Sequence, residues 1–291
     1  MKRKFLTRRH LLRTSVIAGL ALLLSGFTWV EAMLAPKSEQ WPRWTKHDDT
    51  NATGIDHSVW TAFLTLHVAP DDKGINRLRY ADVSRRDRAA LENYVGFLTA
   101  LPISRYARSE QMAYWINLYN ARTVTLVLEH YPLASIMKLD ISPGLLSFGP
   151  WDKKLMTVEG IALSLNDIEH RILRPGWTDN RLHYALNCAS LGCPNLQPAA
   201  YTTANMETLL ISGAQAYVNH SRGVTVDEQG RVTVSKVYAW FKQDFGGDDR
   251  GVLAHLREHA RPALRKSLEG VAEIDAYAYD WSLNDAARPS S

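Results

Sequence analysis

Apolar positions recur at helical spacing through the first half of the chain. Val59, Phe63 and Leu66 share one face over residues 57–67, and Leu91, Val95 and Leu98 share one over 84–101, which predicts two amphipathic helices. The stretch 109–129 differs. Met112, Trp115, Ile116, Tyr119, Val124, Leu126 and Val127 make it apolar almost all round, as expected of a central helix covered on every side. Tyr131-Pro132 ends it. Asn117 and Asn120 lie inside this helix, where a buried amide needs hydrogen-bond partners, so both are expected to tie down neighbouring loops.

The second half mixes periods. Residues 164–175 read as a short helix capped by Ser164 or Asn166 and stopped by Pro175. Ile168 and Ile172 take its buried face, which leaves Glu169 and His170 at the edge. Leu182, Tyr184 and Leu186 alternate with His183, Ala185 and Asn187, a strand pattern that stops at Cys188. Val224 and Val226, then Val232 and Val234, flank an Asp-Glu-Gln-Gly turn and spell a hairpin. Residues 236–245 and 250–259 return to helical spacing. The predicted class is α+β, a single compact domain with helices in the first half around a central apolar helix, and antiparallel strands with a hairpin in the second.

Composition agrees with one domain: 291 residues, 46% hydrophobic and 22% charged, are enough for a substantial core. Charge is unevenly placed. Lys2, Arg3, Lys4, Arg8, Arg9 and Arg13 against Glu31 put +5 on residues 1–32, and subtracting it from the chain's +4 leaves −1 for the remainder. A body so close to neutral lacks the basic stripe that phosphate backbones require, so no nucleic-acid partner is expected. Residues 7–13 (TRRHLLR) have the form of a twin-arginine export signal, and residues 16–27 are an apolar run shorter than the roughly 20 residues of a membrane span. Small residues at Val30 and Ala32 fit cleavage after Ala32. The expected organisation is a signal at 1–32, a polar linker at 33–55, the domain at 56–285 and a tail at 286–291. The body is expected to be periplasmic or extracellular, with membrane contact only through an uncleaved N-terminal segment.

The candidate chemistry centres on HYALNCASLGCPNL at 183–196, which holds both cysteines of the chain. Cys188 and Cys193 admit three roles: nucleophile, buried structural thiol, or the two halves of a disulfide that an extracytoplasmic compartment would preserve. For thiol-dependent acyl transfer a full set of parts is present. Cys188 is the nucleophile, His170 or His183 the base, Glu169 or Asp167 its orienter, and Asn117 or Asn187 an oxyanion donor. In an ideal strand Cys188 points away from His183 and Asn187, which favours His170 as base. HLREH at 255–259 matches the inverted zinc-protease pattern, but the stripe Val252, Leu253, Leu256 and Ala260 predicts its histidines toward solvent with no third ligand. No metal is therefore expected there. No glycine-rich phosphate loop, serine elbow or EF-hand run is present, so no cofactor is expected.

Five stretches together carry a family resemblance: YWINLYNA at 114–121, LNDIEHRILR at 165–174, RLHYALNCASLGCP at 181–194, YAWFKQDF at 238–245 and YDWSLN at 279–284. Over residues 56–284 the chain resembles the bacterial and plant family called domain of unknown function 547. The resemblance implies one compact domain, exported in many bacteria and fused to leucine-zipper segments in plant relatives, with a link to papain-like thiol enzymes. It also implies that a disulfide is dispensable to the fold, since plant versions have serine where Cys193 stands. Two functions follow as expectations. One is a cysteine-dependent hydrolase or acyltransferase acting on a peptide or acyl bond in the cell envelope. The other is a non-catalytic extracytoplasmic binding module for an envelope partner or polymer.

Overall fold

The computed structural model describes residues 35, 37–143 and 149–287. The expected export signal and cleavage site, and most of the expected tail, lie outside them. The predicted helices of the first half form, as α1 (Ser58–His67), α2 (Arg85–Ala100) and α3 (Arg108–Glu129). α1 buries a different stripe from the expected one: Trp60, Phe63, Leu64 and His67 face the core, while Val59 and Leu66 are 44% and 56% exposed. The wide indole at position 60 and the stacked Trp60–Phe63 pair outweigh two smaller aliphatics. Ser84 caps α2 by accepting from the Asp87 N–H.

α3 is central, with every residue from Gln111 to Leu128 except Arg122 buried. Its two asparagines tie loops, as a buried amide must. Asn117 spans the backbone of Tyr201 through N–H donation and carbonyl acceptance, and Asn120 does the same between Ala185 and Asn187. A main core surrounds α3. A second is built by α4 (Met206–Val218), α5 (Asp249–His259) and a small sheet.

Strands are short and scattered through both halves. β1 (Val68–Pro70) pairs with β2 (Asn76–Leu78), and β3 (Met156–Val158) with β4 (Ile161–Leu163), both antiparallel. The predicted hairpin forms from β5 (Val224–Val226) and β6 (Val232–Ser235), and β7 (Ala276–Ala278) joins it in parallel. The architecture is α+β.

Three local expectations are corrected. Residues 182–187 are not a strand: Asn180–Tyr184 is a 3₁₀-helix followed by a turn. All six side chains from Leu182 to Asn187 are buried, so the apolar–polar alternation has no solvent face to report. Pro175 does not stop the helix before it. Asp167–Leu173 is a π-helical segment running into an α-turn at Arg174–Trp177, with Pro175 near its start. The wider π turn lies where a prolyl ring would crowd the carbonyl four residues back. Ser164 does cap this segment, exchanging backbone N–H bonds with Asp167. The polar stretch read as a linker is pinned to the body: Glu39 and Trp41 donate to the carbonyls of His170 and Arg171, and Trp44 is buried edge-on against Trp115.

Candidate functional site

The π segment sets Glu169, His170 and Arg174 side by side in the interior, at the point where it faces the 3₁₀-turn bearing His183. The carboxylate of Glu169 lies between the two imidazoles, 4.0 Å from His170 Nε2 and 3.9 Å from His183 Nδ1. Opposite them Asp244, from the 3₁₀-turn Lys242–Phe245, accepts from His183 Nε2 at 2.7 Å and from the Arg174 guanidinium at 2.6 and 3.1 Å. Arg174 also donates to His170 Nδ1 at 2.9 Å. Phe241 closes this group, stacked on His183 at 4.3 Å and with the Arg174 guanidinium 4.7 Å from its ring centre.

The protonation pattern follows from donor and acceptor chemistry. A guanidinium has only donors, so His170 Nδ1 spends its lone pair on Arg174 and the imidazole carries its proton on Nε2. Burial lowers the pKa of His170 to about 4, with Arg174 adding to the effect against the opposing pull of Glu169. Burial alone would raise the Asp244 carboxyl, but hydrogen bonds from His183 and then Arg174 hold it well below the usual carboxylate range. On the α3 side the Tyr119 phenol lies against both Glu169 and Trp151. Burial first, then the Glu169 charge, keeps that phenol firmly protonated.

The cysteine loop is built separately. Asn187 holds it by donating to Pro194 and accepting from the N–H of Ala189, whose φ of 62° is unusual for a residue with a Cβ. The chain's last described stretch lies along the loop. Leu191 and Gly192 donate to Ser282 and Asp280, and Asn284 donates to Ala189. Gly192 is required by this approach, because a Cβ there would sit 2.8 Å from the Asp280 backbone nitrogen. Cys188 and Cys193 are joined as a disulfide. The sulfur of Cys188 also touches the hydroxyls of Ser190 at 3.2 Å and Tyr279 at 3.1 Å, and those two bond to each other. Within 182–194 every residue but Cys188 is buried, and Cys188 is partly exposed.

Over Cys188 stands a partly exposed group of aromatic rings. Trp281 lies 4.6 Å from Tyr279, 5.5 Å from Trp240 and 5.7 Å from Trp151, and Trp240 lies 4.8 Å from Tyr279. This surface and the buried charge cluster are linked through Tyr119, which lies against both Trp151 and Glu169, and through the Trp240–Phe241 pair.

The expected catalytic set is thus divided. His170, His183 and Glu169 come together, and the two histidines bind Arg174 and Asp244. Neither imidazole is within hydrogen-bonding reach of Cys188, whose polar partners are Ser190, Tyr279 and Cys193. Asp167 orients no histidine; it caps its own helix and pairs with Lys154 and Arg171. Asn117 and Asn187 spend their amides on loop backbone. Sequence reasoning passed over Tyr119, Arg174, Asp244, Trp240, Tyr279 and Trp281 as site residues. Each nevertheless lies in one of the five stretches that carry the family resemblance, which is the signal that could have found them.

Residues 103–218 match the model of the family described as protein of unknown function, DUF547, so the resemblance holds over that span. Asp244, Trp240, Tyr279 and Trp281 lie beyond the matched residues. No curated protein and no solved structure matches the chain.

Proposed function

We propose that the protein is a non-catalytic extracytoplasmic binding module that receives an envelope polymer or partner on the surface formed by Trp151, Trp240, Tyr279 and Trp281. The observation that carries this reading is the partly exposed aromatic group beside a cysteine with no base. Partly exposed aromatic rings offer broad apolar faces to a ligand. A thiol enzyme needs a thiolate and an imidazole able to take its proton. Here the Cys188 sulfur is bonded to Cys193, His170 has its lone pair on Arg174, and His183 is turned to Asp244. Extracytoplasmic placement rests on the twin-arginine segment, and sequencing of the mature protein is expected to begin at Met33.

The test is tryptophan fluorescence during titration with a soluble peptidoglycan digest, with envelope extracts as a second source of partner. The expected result is a saturable change that Trp281→Ala and Trp240→Ala weaken strongly and Cys188→Ser leaves intact. Loss of function in Cys188→Ser with both tryptophan variants unaffected would reverse the reading.

One observation favours the thiol hydrolase or acyltransferase as a second reading. Cys188 is the most exposed residue of its loop, beside Tyr279 of the aromatic group and just before the strained Ala189. Reduced protein that turns over thioesters or peptides, and loses that activity in Cys188→Ser, would support it.

A further inference from the structure

The sequence pattern HLREH, expected to face solvent, is only half outside. α5 buries His255 at 6% exposure together with Val252, Leu253 and Leu256, while His259 is half-buried and Glu258 exposed. Positions three and four apart on a helix are neighbours, and one ligand atom from each of the three residues lies within 4.8 Å of the others. The two imidazole rings meet edge to face, 4.7 Å between centroids. The third ligand that the sequence pattern lacked is therefore Glu258, one residue before His259.

His255 is set up by its inner neighbours. Its Nε2 is 2.6 Å from the Tyr184 hydroxyl, which in turn lies 3.1 Å from the Tyr238 hydroxyl. With Nε2–H donating to the Tyr184 hydroxyl, Nδ1 keeps the unprotonated lone pair that a metal ion needs. A hydrogen bond on the far nitrogen of an imidazole is the usual outer support of a metal ligand, because it fixes the ring and its tautomer. The charged groups acting on the pair from outside the helix are Asp179 and Arg181, and Arg181 is held by Asp179 and Glu207. Asp179 and Glu207 thus offset the charge of Arg181 beside the pair.

We propose that His255, Glu258 and His259 form a binding site for a divalent transition-metal ion of the zinc class. Two imidazole nitrogens and one carboxylate suit Zn²⁺ and its neighbours rather than Ca²⁺ or Mg²⁺, which take oxygen ligands. His255 is the fixed inner ligand. Glu258 and His259, being more exposed, close on the ion by side-chain rotation, and the solvent side leaves a coordination position for water. The site lies beyond the aromatic surface and does not depend on what that surface binds.

The test is calorimetric titration of the full chain with Zn²⁺, repeated with Co²⁺ to read coordination from its visible absorption. The expected result is one ion per chain, with affinity about tenfold or more weaker in His259→Ala and in Glu258→Gln. Both positions are partly or fully exposed, and circular dichroism is expected to show both variants folded. Cys188→Ser/Cys193→Ser and His47→Ala serve as controls that should bind as the parent does. Absence of binding in excess Zn²⁺, or equal affinity in the parent and both site variants, would overturn the proposal.

Discussion

Replacing Asp244 with alanine removes the one acceptor shared by Arg174 and His183. The Arg174 side chain is 5% exposed, so its guanidinium is left charged, buried and short of two hydrogen bonds. Breaking a buried pair from one side costs roughly 3–5 kcal/mol. At about 2–4 °C of melting temperature per kcal/mol for a chain of this size, Asp244→Ala should melt roughly 6–20 °C below the parent at pH 7. Asp244→Asn keeps one acceptor oxygen and should fall between. The pH dependence has a definite sign. The folded-state pKa of Asp244 is lowered, so its contribution is full above the ordinary carboxylate pKa of 3.8 and is lost as pH falls through the folded value. The gap between parent and Asp244→Ala should stay level between pH 7 and pH 5, then narrow below about pH 4. Thermal melts followed by near-ultraviolet circular dichroism, which also senses Phe241 and Trp240 beside the cluster, measure both. A gap under about 1 kcal/mol at pH 7, the worth of a surface pair, would refute the reasoning.

Acid should weaken the fold earlier than carboxylate titration alone predicts. Burial lowers His57 and His170 to about 4 and His255 to about 3, whereas each takes a proton near 6.5 once unfolded. Their stabilisation is therefore full above about pH 6.5 and declines from there toward pH 4, and equal urea midpoints at pH 7.5 and pH 5 would contradict this. Native protein should resist alkylation at both cysteines. After mild reduction Cys188 should label before Cys193, which is 5% exposed, and mass mapping that finds the reverse order would show the loop wrongly placed. Gly192→Ala should cost on the order of 1–3 kcal/mol through the clash with the Asp280 backbone, and it should loosen Tyr279 from Cys188, visible as faster labelling of the reduced thiol. Unchanged stability and labelling would mean that the Tyr279–Asn284 stretch does not need that close approach.

Local periodicity was enough to read the helices of the first half, the burial of α3, the loop-tying asparagines and the β5–β6 hairpin, because each depends on neighbours within a few residues. Pattern failed where burial surrounds a segment. Residues 182–187 alternate like a strand, yet every side chain is covered, so alternation carried no information about the backbone. The helix at 255–259 failed for a related reason: a histidine counts as polar in a periodic pattern, but its ring can be buried when one nitrogen has a partner such as Tyr184. Residue type alone identified Cys188, His170, His183 and Glu169 as chemically able. Which of them meet was decided by pairings across the chain: Asp244 reaches back 61 residues to His183, and Tyr279 reaches 91 to Cys188. Such contacts exist only once the α3 core and the second core have packed, which is why the sequence by itself determined the inventory of the site and the tertiary structure alone decided that its imidazoles and its cysteine stand apart.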